Sequence, residues 1–265
     1  MTISGEITFA SAVRIQARVV GALILRELHT RFGRHNIGYL WAILEPMLLA
    51  VTVTSIHFGL NARLPFRMDT APFWITGYTP WILFRSTILR ASGAVESNRG
   101  LLYHRMVTLL DVMLARALLE AAVTTFALFL LLGGAVALGL GGLPARPILM
   151  FAGMGFLLWL GFGLSLLNCA ACAISPLAER LVDPFMYLML PFSGVFYLIE
   201  WIPRPYQDYL RLFPTTQMIE MVREGQFANF DSSYIDPLYL IAWCMAATLL
   251  GLLALRVIRP KINLE

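Results

Sequence analysis

The residues of this 265-residue chain that could do covalent or metal chemistry are few: four histidines, three cysteines and a single lysine. A nucleotide-cradling loop of the form G-x-x-x-x-G-K-[ST] needs a lysine to reach the β- and γ-phosphates. The only lysine stands in Pro260-Lys261-Ile262, so no such loop is present. His29, His35, His57 and His104 form no H-E-x-x-H pair, and there is no G-x-S-x-G. Cys169 and Cys172 make a C-x-x-C in an apolar stretch without a second ligand pair, and with Cys244 they read as core residues. An odd number of cysteines cannot pair fully within one chain. No catalytic residue, metal site or cofactor is expected here, and the chain alone has no recognisable means of hydrolysing ATP.

The chemistry that remains belongs to charges placed among apolar residues. An ionisable group inside a membrane span costs about 2.5–3.5 kcal/mol on insertion scales. Glu45, Arg85 and Arg90 stand in such positions. Glu45 is expected to pair with Arg85 or Arg90, or the two arginines face a wet cavity. The pair then either locks two helices or draws an anionic substrate to the inner mouth. Arg116 and Glu120 lie one helical turn apart and read as a local i,i+4 pair. Aromatics crowd two regions: Phe73, Trp74, Tyr78, Trp81 and Phe84, then Phe196, Tyr197, Trp201, Tyr206 and Tyr209. They suit an interfacial belt or a sugar-stacking lining, because Trp and Tyr join an apolar face to a polar handle.

These residues need helices that live in lipid. Charged residues make up 14% of the sequence, hydrophobic residues 58%, and the mean hydropathy is +0.72. A soluble domain carries about 25% charge, so a soluble enzyme, a disordered chain and a nucleic-acid binder are excluded. A spanning helix needs about 20 mostly apolar residues. Charge-poor windows predict six spans, at about 39–60, 73–91, 117–140, 147–174, 184–199 and 237–255. The fold class is thus an all-α integral membrane protein. Residues 1–38 form an N-terminal segment and 39–265 a six-span transmembrane domain. Basic residues concentrate on the cytoplasmic side of membrane proteins. Here one side holds 14 Lys and Arg and the other 6, which puts both termini in the cytoplasm. The first basic residue, Arg14, precedes no early apolar run, so no cleavable signal is expected.

Two segments outside the spans stand out. Ala22–Arg34 repeats Leu25, Leu28 and Phe32 at helical spacing, with Glu27, Thr30, Arg31 and Arg34 opposite, as in a helix lying along the membrane surface. It is either a solvated anchor or a docking element for a cytoplasmic partner. Residues 200–236 are long for a loop and punctuated by Pro203, Pro205 and Pro214. They read as helices dipping into the outer leaflet or as a folded outer loop. Gly133, Ala137 and Gly141 form a small-residue stripe that allows close helix approach.

The run Leu25-Arg26-Glu27-Leu28-His29-Thr30-Arg31-Phe32-Gly33, continuing in Gly38-Tyr39-Leu40-Trp41-Ala42-Ile43-Leu44-Glu45-Pro46, closely resembles the permeases that export group 2 capsular polysaccharide, in the ABC type-2 exporter family. Gly93-Ala94-Val95-Glu96 with Asn98 to Leu101, Ala115 to Glu120, and Pro214 with Glu220 and Arg223 are similar too. The family usually has Asn before that proline, where this chain has Phe213, and His is common where Gln217 stands. The resemblance implies a homodimer of six-span subunits in a bacterial inner membrane. It also implies a separate ATPase subunit holding ATP and Mg, and a lipid-linked acidic polysaccharide as cargo. Periplasmic and outer-membrane capsule export proteins would be further partners. It makes Ala22–Arg34 an interface helix, Ser97–Thr108 a coupling loop and 200–236 a re-entrant pair capping the channel.

On that resemblance, Arg26, Glu27, Arg31, Asn98, Arg99 and Arg105 are the expected ATPase-coupling residues. Glu45, Arg85, Arg90, Trp74, Tyr78 and Trp81 line the expected cargo path, and Pro214, Glu220 and Arg223 mark the outer segment. The rival readings are an O-antigen or teichoic-acid exporter permease, an integral-membrane glycan-modifying enzyme and a non-transporting scaffold.

Overall fold

The computed structural model describes residues 9–32, 44, 47–48, 51–52, 54–56, 68–98, 100–101 and 107–262. Among them the regular structure is entirely helical. In chain order the helices are α1 (Phe9–Phe32), α2 (Thr70–Leu89), α3 (Leu109–Ala137) and α4 (Pro147–Ile174), then α5 (Pro176–Met189), α6 (Arg204–Arg211), α7 (Pro214–Gln226) and α8 (Pro237–Ile262). Single 3-10 turns occupy Glu96–Asn98, Leu190–Phe192 and Ile199–Trp201. The expected first span, 39–60, lies almost wholly outside the described residues.

Local chemistry sets the boundaries. α4, α5, α7 and α8 each begin on a proline, which tolerates the first helical position because its missing N–H has no partner there. α3 begins at Leu109 because Thr108 and Asp111 form a reciprocal capping box. That puts its start eight residues before the expected 117, and its end at Ala137 falls short of 140. Only Ser175 separates α4 from α5, in extended backbone with φ −140° and ψ 119°. A residue before proline is driven out of the helical region, so Pro176 ends one helix as it starts the next.

Among the described residues, three helices are long and apolar enough to cross a membrane by length and composition: α3, α4 and residues Pro237–Ile258 of α8. α4 coincides with its expected span, whereas α8 runs past the expected Leu255. α2 has 20 residues and carries Arg85 within it. The fifth span requires correction. Its helix starts at Pro176, not 184, includes Glu179, Arg180 and Asp183, and ends at Met189 after 14 residues. That length covers about 21 Å at 1.5 Å per residue, short of the bilayer core of about 30 Å.

α1 is also longer than expected, and its packed face is rotated. Val20 and Leu23 are buried against Val112 and Ala115 of α3, while Leu25 is 59% exposed. Glu27 turns toward the bundle instead, for the electrostatic reason given below.

α4 is the central post, packing on α2, α5, α7, α8 and, less closely, α3. Met150, Met154, Leu157, Leu160 and Leu166 are almost fully buried along it. Its glycines permit the close approaches. A Cβ on Gly153 would meet Val222 Cγ2 of α7 at 2.7 Å, and one on Gly163 would meet the Thr248 nitrogen of α8 at 2.7 Å. The reciprocal contact is at Gly251, where a Cβ would meet the Gly163 carbonyl at 2.7 Å. The expected Gly133–Gly141 stripe is not one face: α3 ends at Ala137, Gly133 has open space, and Gly141 abuts Pro72.

At Gly225 of α7, a Cβ would lie 2.4 Å from the Met150 nitrogen. Gly225→Ala is expected to destabilise the protein by about 1–3 kcal/mol, the usual cost of overpacking. Gly155→Ala, with nothing within 4 Å, should be neutral or stabilising because alanine favours helix. Thermal unfolding in detergent measures both.

Candidate functional site

Polar side chains gather at the two ends of the bundle. The first cluster joins α1, the 90–98 turn and the start of α3. Arg26 Nη1 donates to Asn98 Oδ1 at 2.6 Å and Nη2 to the Ser97 carbonyl at 3.4 Å. Glu27 Oε1 lies 3.1 Å from Arg116 Nε, an ion pair by distance. Arg116 Nη1 donates to the Arg90 carbonyl at 2.7 Å and Nη2 to Ser97 Oγ at 3.0 Å. Arg90 Nε pairs in turn with Glu120 Oε1 at 3.1 Å. Gln16 of α1 donates to Asp111 of the α3 capping box.

The turn itself is over-determined. Gly93 has φ +66°, a left-handed conformation open to glycine at little cost. Asn98 is 2% exposed and donates to the Ala94 carbonyl at 2.9 Å. From α4, Asn168 Nδ2 donates to the Ile88 carbonyl at 2.9 Å and Ser92 Oγ at 3.1 Å, fixing the end of α2. Between α1 and this turn lies a cleft of about 500 Å³ lined by Arg26, Glu27, Arg90, Ser97, Asn98 and Arg116, among others.

Arg26, Glu27 and Asn98, expected to couple to a partner, are therefore committed to bonds within the chain. Arg31 belongs to α1, but its side chain lies outside the described residues, as do Arg99, Arg105 and Glu45. The expected Glu45 partners have other carboxylates: Arg85 Nη2 bonds Asp183 Oδ1 of α5 at 2.6 Å, and Arg90 bonds Glu120. The Arg85 guanidinium also sits 4.5 Å from the Tyr187 ring centre, a cation–π arrangement. Arg116 and Glu120, read from the sequence as a local pair, each reach another helix. Spacing of i,i+4 puts both on one face but does not say what that face meets.

Of the path aromatics, Trp74 and Trp81 are buried and Tyr78 is partly buried. Trp74 packs edge-on to Phe73 at 5.2 Å, and Trp81 lies against Phe84 at 5.4 Å.

The second cluster is built on α7 at the other end. Pro214 starts that helix, and Glu220 and Arg223, both 0% exposed, lie on its inner face. Arg223 donates to the carbonyls of Gly194 and Tyr197 at 2.7 Å each, and to that of Val195. Its guanidinium stacks 3.9 Å from the Phe73 ring centre. Gly77 of α2 makes the room, since a Cβ there would meet Arg223 Nη2 at 2.4 Å. Glu220 accepts from the Ile199 N–H at 2.7 Å and from Ser232 Oγ at 2.6 Å. Burial pushes its carboxyl above the usual range and pulls the Arg223 guanidinium down to about 9, because low dielectric disfavours either charge.

Gln217, where the family motif varies, is the third α7 anchor. It accepts from the Asp236 N–H at 2.9 Å and donates to the Arg211 carbonyl at 2.8 Å. Sequence reasoning gave no role to Gln217, Asn168 or Gln226, whose amide donates to the Gly142 carbonyl at 2.9 Å. A polar residue inside an apolar helix was the available signal for Asn168.

Comparison with known proteins places this architecture. Residues 18–227 match the ABC-2 type transporter family. The chain is 33% identical over 245 residues to the capsule polysaccharide export inner-membrane protein CtrC of Neisseria meningitidis serogroup B, covering 92% of each. It is 30% identical over 256 residues to the capsule polysaccharide export inner-membrane protein BexB of Haemophilus influenzae, covering 97% of each. It is 28% identical over 242 residues to the polysialic acid transport protein KpsM of Escherichia coli, covering 91% of this chain and 94% of that one. A match over most of its length makes this chain a member of the ABC-2 type transporter family.

Proposed function

We propose that this chain is the permease subunit of an ATP-driven exporter that moves capsular polysaccharide across the bacterial inner membrane. The observation that carries the reading is the near full-length likeness to proteins named for capsule export. The absence of a nucleotide loop from the sequence fits a separate ATPase subunit that binds ATP and Mg. The cargo is a lipid-linked acidic polysaccharide, and the working unit is a homodimer of six-span, multi-pass subunits with both termini in the cytoplasm. The apolar helices α3, α4 and α8 support the multi-pass reading. Periplasmic and outer-membrane capsule export proteins receive the polymer.

In this scheme α1 lies along the cytoplasmic surface and the segment from Ser97 to Thr108 seats on the ATPase. Docking falls to Arg31, Arg99 and Arg105, while Arg26, Glu27 and Asn98 set the helix and the turn in register behind them. ATP binding closes the ATPase subunits and displaces this block, a change that requires different contacts in the two states. Arg85 and Arg90 meet the anionic end of the cargo, whereas Trp74 and Trp81 are buried in the core and only the partly buried Tyr78 could face it. The segment carrying Pro214, Glu220 and Arg223 caps the outer mouth as a re-entrant pair.

The permease and its ATPase in vesicles are expected to hydrolyse ATP faster with lipid-linked capsular polymer than with lipid-linked O-antigen. Equal or reversed stimulation would overturn the capsule reading. Charge reversal at Arg99 or Arg105 should lower the polymer-stimulated rate several-fold and leave the permease folded, measured by hydrolysis beside a thermal melt. Arg223→Met should cost about 1–3 kcal/mol for each carbonyl left buried and unpaired and abolish export while the ATPase still co-purifies. Arg223→Lys should recover only part, since an ammonium lacks the planar fork.

A further inference from the structure

The first cluster holds an arginine with no assigned role. Arg116 is 12% exposed and its partner Glu27 17% exposed, so the pair is largely withdrawn from water. The side chain stands on α3, one of the helices long enough to cross the membrane. Two of its nitrogens donate, Nη1 to the Arg90 carbonyl at the end of α2 and Nη2 to Ser97 of the 90–98 turn, and Nε lies within ion-pair distance of Glu27 on α1. The apolar contact of Val20 and Leu23 with Val112 and Ala115 holds α1 against α3 as well, but such a contact lets helices slide by small shear motions. An ion pair braced by two further hydrogen bonds resists sliding, because displacement leaves a half-buried charge without its partners.

We infer that Arg116 is the pivot through which motion of the ATPase-facing segments enters the membrane: it locks α1 and the 90–98 turn to α3, so that the three move as one block. This rests on the proposed permease function. The neighbouring pair Arg90–Glu120 extends the lock one turn further along α3, on the same face as Arg116. The charges alternate across three helices: Glu27 on α1, Arg116 and Glu120 on α3, and Arg90 at the end of α2. A push on α1 or on the turn then reaches α3 as rotation or translation. Lysine substitutes only in part, because a single ammonium on a flexible stem does not hold three partners in fixed directions.

The test uses the full complex in vesicles and reads polymer exported per ATP hydrolysed. For Arg116→Met the ATPase subunit should still co-purify and basal hydrolysis persist, while export per ATP falls at least about tenfold, the change that about 1.4 kcal/mol of lost coupling produces. Arg116→Lys should fall between. Adding Glu27→Gln to Arg116→Met should change nothing more, because residues acting through one contact are not additive. Wild-type export per ATP in Arg116→Met would overturn the inference. So would loss of ATPase binding, which would make Arg116 a docking contact, and so would additive losses in the double variant. If Arg116→Met does not fold, Glu27→Gln and Ser97→Ala each remove one arm, and an unchanged ratio in both also overturns it. Failure of the wild-type complex to respond to polymer at all would instead strike the proposed function.

Discussion

A guanidinium removed from water must find oxygens, and Arg223 finds them on a piece of chain with little regular structure of its own. Residues 193–198 leave the α5 end of the chain without a ladder to satisfy their carbonyls. Buried backbone carbonyls need partners wherever the chain lacks regular structure. Arg223 takes three of those carbonyls, and Glu220 on the same helix face takes the Ile199 amide. The charge and the loop thus solve each other's problem. Gly77 and Phe73 supply the space and the ring face this solution requires. Gly194, with φ +85°, bends the loop so that its carbonyls face inward.

The two ends of the bundle use polar groups differently. At the α7 end side chains satisfy backbone, which fixes a shape. At the α1 end side chains also pair with one another, Glu27 with Arg116 and Arg90 with Glu120, beside their bonds to backbone carbonyls. Between them α4 offers glycine to three neighbours, so α2, α7 and α8 approach it more closely than leucine packing would allow. The middle of the molecule is held by close apolar packing and the ends by charge, as expected where lipid gives no hydrophobic drive for helices to associate.

How much of this was legible in the sequence depended on whether one residue or two carried the signal. α4 was read to the residue because Pro147 starts it and charges resume only after it. Charge-free windows fail for α5, whose helix includes three charged residues, one of them bonded to Arg85. The glycines of α4 looked irregular because each meets a different helix, a pattern with no period in one sequence. The positions of Arg116 and Glu120 were visible, but their partners lie on elements far away in the chain, and spacing cannot name them. Gln217 departs from the common residue of the family motif yet binds two backbone groups, the Arg211 carbonyl and the Asp236 N–H. The pairing of Glu45 belongs to a stretch outside the described residues.

Ser175 shows what a single extended residue can do. Because it alone joins α4 to α5, the angle between those helices is governed by very few torsions, φ and ψ of Ser175 foremost. Such a joint behaves as a crank rather than a tether. Tilting the central post swings α5 as a stiff arm, and Asp183 and Tyr187 travel with it. The grip on Arg85 is thereby geared to the attitude of the helix on which α2, α3, α5, α7 and α8 pack.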